Sequence, residues 1–295
     1  MRRSHFVAAA ISILALAAGP ASANHWWGGY RWAILAAPLD VRVNAALTGS
    51  GNWTEYVNRA VTQDWEASDV LTLGTVHPSS TSPKKCSPIA KQILVCNEAY
   101  GLRGWLGIAA IWTDNNGRIN QATTKLNDSY FSLSTYNTPA WKNLVSCQEI
   151  GHDFGLAHQD ENFNNVNLGS CMDYTNVPSG GTVNGFNYGP SNEYPNQHDY
   201  DELDIIYTGR ADGYTTATSS TAAAPTNFGV RDLTKPQPAP AQPGAGSGDS
   251  PAEWGAAVHH DGNGRPDLFA RPLANGGTML THVFWAPDTR AEDIH

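Results

Sequence analysis

The chain has 295 residues, 41% of them hydrophobic and only 15% charged, with a net charge of -9. That length carries one large domain, or one domain plus a small module, and that apolar content buries a sizeable core. The negative balance excludes a sequence-independent grip on nucleic acid and argues against an anionic membrane surface.

The first residues read as a secretory signal. Arg2 and Arg3 supply the positive start, Phe6 to Ala18 is an apolar run too short to span a bilayer, and Ala21-Ser22-Ala23 fits a small-residue cleavage site. Residues 1–23 are therefore assigned to a signal peptide, the mature chain starts at Asn24, and a secreted protein with no later membrane contact is expected. Leu39 to Ala46 alternates apolar and polar residues, as a strand with one buried face does. Trp53, Tyr56, Val57, Ala60, Val61 and Trp65 fall at helical spacing. Val70 to Val76 reads as a second strand and Gln92 to Cys96 as another. Trp105 to Thr113 and Ile119 to Leu126 flank Asn115-Asn116-Gly117, a hairpin signal. Thr138-Pro139 looks like an N-cap followed by proline in the first helical turn, with a helix running through Trp141 to Gly155. A further helix is expected over Asn196 to Tyr207, where His198 is given a capping or structural role.

After Tyr207 the composition shifts. Residues 213–250 read as a Pro/Ala/Ser/Gly-rich linker between a domain at 24–212 and a small C-terminal β element at 251–295. That element either packs back on the domain or stands apart. Its Asp261 to Asp267 run is read as a plain turn in preference to a calcium loop, and His259 and His260 are assigned nothing. Most of the ten tryptophans are expected in the core. Four cysteines, Cys86, Cys96, Cys147 and Cys171, imply two disulfides in an exported chain, with three pairings open.

The chemical signal lies in Gln148-Glu149-Ile150-Gly151-His152-Asp153-Phe154-Gly155-Leu156-Ala157-His158. Positions 148 and 152 share one helix face and can share one metal ion. Gly155 can take the left-handed conformation that ends a helix, after which His158 can swing back as a further ligand. Glu149, beside the first ligand position, can take a proton from a water that zinc has acidified. Asp160 and Glu161 are candidates for contacts to a ligand histidine, with plain solvation the more common fate.

This run resembles the metzincin signature HExxHxxGxxH, and Ser170-Cys171-Met172-Asp173-Tyr174 resembles the downstream Met-turn of that family. The resemblance covers roughly residues 30 to 208. It implies an α/β (α+β), zincin-like catalytic domain with a mixed twisted sheet and an active-site helix. It implies Zn2+ held by His152, His158 and Gln148, with Met172 as an apolar floor. Glu149 becomes the general base, and Tyr174, which occupies the place of a tyrosine in astacins and serralysins, is set to stabilise an oxyanion. With the Met-turn under the metal helix, Cys147 comes close to Cys171, which leaves Cys86 for Cys96.

One position departs from the signature: the family's first His is Gln148 here, as in a group of bacterial secreted metzincin-like proteins. An amide oxygen is a weaker zinc donor than imidazole. Two functions follow. One is a monomeric secreted zinc endopeptidase acting on a protein or peptide substrate; the alternative is a catalytically inactive metzincin-fold binding protein. A glycan-associated role for the C-terminal element is a third, weaker idea.

Overall fold

The computed structural model describes residues 25–33, 38–208 and 246–294; the signal peptide assigned to 1–23 and most of the linker assigned to 213–250 lie outside them. In chain order the strands are β1 (Arg31–Trp32), β2 (Leu39–Asp40), β3 (Arg42–Ala46), β4 (Leu71–Thr72), β5 (His77–Pro78), β6 (Gln92–Glu98), β7 (Trp105–Thr113), β8 (Arg118–Asn127), β9 (Thr182–Val183), β10 (Phe186–Asn187), β11 (Ala256–His260), β12 (Pro266–Pro272) and β13 (Thr278–Trp285). The helices are α1 (Trp53–Arg59, continued by a π turn and a 3-10 turn to Ala67), α2 (Asp128–Phe131), α3 (Pro139–Asp153), α4 (Gln197–Tyr207) and α5 (Pro251–Trp254).

One mixed, twisted sheet organises the chain, with strand order β11-β12-β13-β7-β8-β6-β3-β5 and β1 beside β8. Strands β3, β5, β6 and β8 run parallel, β7 turns back against β8, and β13, β12 and β11 continue antiparallel beyond β7. The β7–β8 turn works because the Asp114 carboxylate accepts the Asn116 and Arg118 amides at 2.8 Å each, while Gly117 takes a φ of 74°.

Helix α3 packs across β7 and β8 and also meets α1 and β13. Buried Trp53, Val57, Val61 and Trp65 lie on α1 and its continuation, which pack against α3, and Trp65 Nε1 donates to the Cys147 carbonyl at 3.0 Å. On the opposite face of β7 a second apolar cluster joins Tyr100, Trp105 and Ile108 to Trp254, Phe269, Val283 and Trp285. Strand β7 is buried along its whole length because both faces are covered.

The residues expected in one strand over Leu39 to Ala46 divide in two. Leu39–Asp40 pairs with Leu71–Thr72 in a separate ladder, and Arg42–Ala46 pairs with β6. The strand expected over Val70 to Val76 stops after Thr72. The amides of Leu73 and Gly74 donate to the Glu66 carboxylate at 2.5 and 3.1 Å, and Gly74 turns to a φ of 63°, so these groups have no need of a strand partner. Gln92 to Cys96 extends as a strand to Glu98. The cysteines pair as Cys86–Cys96 and Cys147–Cys171, with S–S distances of 2.09 and 1.98 Å. Among the described residues no helix is long and apolar enough to cross a membrane.

Candidate metal centre

Helix α3 begins where the Thr138 hydroxyl accepts the Trp141 amide at 3.3 Å and Pro139 fills the first turn. From Trp141 to Asp153 every residue is buried. The helix ends at Gly155, which has a φ of +95° and would bring a Cβ to 2.4 Å from the Tyr30 carbonyl, so both its conformation and its space require glycine. The N-terminal segment closes over this end. The Trp27 amide donates to the Gly155 carbonyl at 2.8 Å, the Ala157 amide to the His25 carbonyl at 2.5 Å, and Trp32 Nε1 to the Asp153 carbonyl at 2.8 Å.

The turn after Gly155 brings the His158 ring to 4.8 Å from that of His152. A third imidazole completes the group. His282 of β13 lies 3.9 Å from His152 and 4.6 Å from His158, ring centre to ring centre. One ligand nitrogen from each of the three lies within 4.8 Å of the others, an arrangement that could hold a metal ion. His152 is wholly buried and His282 nearly so.

The hydrogen bonds of the three rings follow one rule. His152 Nδ1 meets the Leu156 carbonyl at 2.8 Å, His158 Nδ1 the Glu161 carboxylate at 3.2 Å, and His282 Nδ1 the Glu149 carboxylate at 3.3 Å. Acceptors at Nδ1 of His152 and of His158 favour the tautomer that leaves Nε2 with its lone pair. Nε2 of His152 and of His158 is buried with no partner, and Nε2 of His282 faces the Tyr174 hydroxyl at 2.8 Å. Burial, followed by the charge of His158, holds the His152 pKa well below its ordinary value; burial, followed by His152 and His158, does the same for His282. Imidazole nitrogens that converge, two of them buried and unpaired, suit a borderline metal such as zinc.

The other residues singled out from sequence surround this group. The Gln148 amide donates to the Cys171 carbonyl at 2.7 Å, and its oxygen is buried without a partner. Glu149 is wholly buried against Gly107 of β7, where a Cβ would come to 2.9 Å from its Oε1. Burial, then the neighbouring Asp153 charge, raises its pKa well above the carboxylate range. Met172 packs its sulfur against Gly151, and the Met172 carbonyl accepts the Gln159 amide at 2.6 Å. The Tyr174 amide donates to the Asp160 carbonyl at 3.0 Å, its hydroxyl bonds Asp267 at 3.1 Å, and burial pushes its pKa up. Ser170 ties this loop to α4 by donating to Asp199 at 2.7 Å. His198 lies in the first turn of α4, capped by Asn196, and stacks on His25 at 4.8 Å.

Sequence reasoning passed over His282, assigned His259 nothing and read Asp267 as part of a turn. His259 Nδ1 lies 2.8 Å from Asp267, whose hydrogen bond raises the His259 pKa to about 9, and His259 Nε2 lies 3.5 Å from Glu161. One signal was legible: Leu280, His282 and Phe284 alternate, so a histidine occupies the core-facing side of a strand. The Asp261 loop is a turn whose carboxylate is filled by Arg265, 2.7 Å away and equally buried.

No protein-family model matches the chain, and no curated protein matches it. Among solved structures the chain is similar to that of myroilysin, at 11% identity and a TM-score of 0.31, over 62% of this chain and 86% of that one.

Proposed function

We propose that this chain is a secreted zinc-dependent peptidase of the metzincin kind, with the metal held by Nε2 of His152, His158 and His282. The reading is carried by one observation: the three imidazoles converge within metal-ligand reach, and Nε2 of His152 and of His158 are buried and unpaired. The motif residues quoted from the sequence supply the kinship, and the paired cysteines fit an exported chain. Bound there, zinc would act as a Lewis acid toward a peptide carbonyl and acidify a water. Gln148 shares a helix face with His152, and its unpaired oxygen is a weaker, supplementary donor.

The chain's own groups supply the proton chemistry. Burial raises the Glu149 pKa above the usual carboxylate range, and its Oε2 lies 3.3 Å from His282 Nδ1, so Glu149 is the group placed to take and return a proton beside the centre. Tyr174, held protonated by burial, would reach a developing oxyanion only by turning its hydroxyl away from Asp267, to which it donates at 3.1 Å. The competing reading, a metal-holding protein without turnover, draws on the complete burial of Glu149 and its contact with His282.

Elemental analysis of the purified mature chain, followed by a peptide-cleavage assay, separates these readings. About one zinc per chain is expected. Glu149→Gln should keep the metal and lose cleavage. Zinc without cleavage in the unaltered chain selects the binding reading; no zinc overturns the centre itself.

A further inference from the structure

The pocket bordered by His158, Glu161, His259 and His282, about 180 Å³ in volume, belongs to the histidine centre. A second group of oxygen-bearing side chains begins two residues after His158. Asp160 and Asp173 pair across an isolated parallel bridge, and residues paired in this way send their side chains to the same side. The Asp173 carboxylate is wholly buried. Its Oδ2 accepts the Leu168 amide and the Asn192 side chain, each at 2.8 Å, while its Oδ1 is buried with no partner. Burial first, and the Asp160 charge with it, raise the Asp173 pKa to about 6. Asp160 accepts the Asn162 amide at 2.9 Å and the side-chain amide of Asn165. Among the described residues neither carboxylate forms an ion pair with a lysine, arginine or histidine. The Asp261 turn differs in this respect, since Arg265 meets its carboxylate at 2.7 Å. A carboxylate oxygen buried without a partner is costly, and a second carboxylate beside it adds to that cost until a cation joins them.

We propose that Asp160 and Asp173 hold a calcium ion, with Asp173 Oδ1 as the anchoring ligand and Asn165 as a third side-chain ligand. Carboxylate and amide oxygens are hard donors, which suit a hard cation and not zinc. A loop that offers such oxygens, supplemented by backbone carbonyls and water, fits the irregular shell of about six to eight oxygens around calcium better than the strict octahedron of magnesium. Asn165 now presents its NH2 to Asp160; a half-turn of the amide presents its oxygen instead, to an ion that Asp160 shares. The position gives the ion a structural consequence. Asp160 lies on the turn that delivers His158, and Asp173 lies between Met172 and Tyr174. Two backbone bonds join these segments: the Gln159 amide donates to the Met172 carbonyl at 2.6 Å, and the Tyr174 amide to the Asp160 carbonyl at 3.0 Å. Calcium adds a link between their side chains at the same place, and so holds the turn where His158 meets His152. The site goes beyond the peptidase reading and does not rest on it.

The test uses the full mature chain, freed of divalent ions on a chelating resin and reloaded with zinc. Calorimetric titration with calcium chloride should show about one calcium per chain, with a Kd of about 10⁻³ M or tighter, and magnesium chloride should bind at least about tenfold more weakly. At a tenfold excess of calcium over Kd the thermal midpoint should rise by about 3 °C or more. Asp160→Asn and Asp173→Asn should each weaken calcium binding about tenfold or more, since affinity follows the charge of the ligands. Asn165→Asp adds a carboxylate and should tighten binding about fivefold, a gain that a loosened loop does not give. The exposed Asp69→Asn and the histidine variant His282→Ala should both keep the unaltered calcium affinity. No calcium binding up to about 10 mM, equal binding of calcium and magnesium, or unchanged affinity in both aspartate variants overturns the proposal. Loss of calcium in His282→Ala assigns the ion to the histidines and overturns it as well. Zinc content and peptide cleavage, followed on the same samples, judge the peptidase reading separately: calcium bound to a zinc-loaded chain that cleaves nothing sustains this site and removes the peptidase.

Discussion

The candidate metal centre is assembled from two regions built on different principles. His152 and His158 belong to one helix and the turn that ends it; His282 arrives on a strand 133 positions beyond Glu149, the residue whose carboxylate it meets. The helical half is fixed by local devices: a capping threonine, a terminal glycine, a disulfide to the 170–174 loop, and an N-terminal segment laid across the helix end. The strand half is fixed by a continuous ladder on β7 and by a cluster of Trp254, Phe269, Val283 and Trp285 on the far face. Local devices set a ligand's angle; the sheet sets its distance from the other two. A centre that needs both can be damaged from either side, and the two kinds of damage should look different.

Removing residues 246–294 is expected to have the largest effect. It would strip β7 of its neighbour and uncover Trp105 and Ile108, both buried. Exposing buried side chains costs roughly 1.5–3 kcal/mol each, against a total stability of about 5–15 kcal/mol. The truncated chain should lose cooperative urea unfolding altogether. Were it to melt as one sharp transition near that of the full chain, the C-terminal strands would be a separable module and the two-sided account would be wrong.

His282→Ala should act on the metal and spare the fold. Zinc affinity should fall by more than the ~10–100-fold that loss of an outer-shell partner brings, whereas Gln148→Ala should cost less than about tenfold. Competition with a calibrated chelator measures both. If the order is reversed, the amide of the helix face is the third ligand and the strand histidine only attends it.

The same contrast explains what could be read from the sequence. Thr138, Pro139 and Gly155 announce the ends of α3, and Asn115-Asn116-Gly117 announces the β7–β8 turn, because each signal acts within a few residues. The mixed sheet with a helix across it was implied by the resemblance that the motif residues carry. Pairing partners beyond the hairpin left no comparable trace. Leu39 and Val43 alternate on one face, yet they belong to two ladders, and nothing near Thr72 shows that the Glu66 carboxylate ends its strand. His282 has no spacing relation to the motif, since its place is set by the register of β13 on β7, where it stands opposite Ala109.

Where the two halves touch, Gly107 leaves room for the α3 side chains. An added Cβ would fall 2.7 Å from Val145 Cγ1 and 2.8 Å from Glu149 Cγ. Gly107→Ala should therefore cost about 1–3 kcal/mol through overpacking and push Glu149 away from His282. Gly49→Ala, whose Cβ would meet nothing within 4 Å, is the control and should be close to neutral in thermal unfolding. Equal stability of the two variants would mean that α3 and β7 are not in tight contact at the centre.

The smallest expected effect is electrostatic and lies on the pocket side, where His259 links the strand half to Glu161 of the helical half. Its folded pKa of about 9 lies above its ordinary 6.5, chiefly through the Asp267 hydrogen bond. A group raised on folding stabilises fully below its unfolded pKa and loses that contribution as pH rises through the folded value. The stabilisation should thus be complete below about pH 6.5 and gone above about pH 9. The side chain is 46% exposed, so solvent screens the pair and the whole effect should stay within about 1 kcal/mol. Melting temperatures taken across that window should decline slightly in the unaltered chain, and the part of the decline due to this link should be absent from His259→Gln. If both proteins show the same slope, Asp267 and Glu161 do not depend on His259 for their placement, and the helical and strand halves are held together here by the contacts of Tyr174 with Asp267 and His282 and of Glu149 with His282.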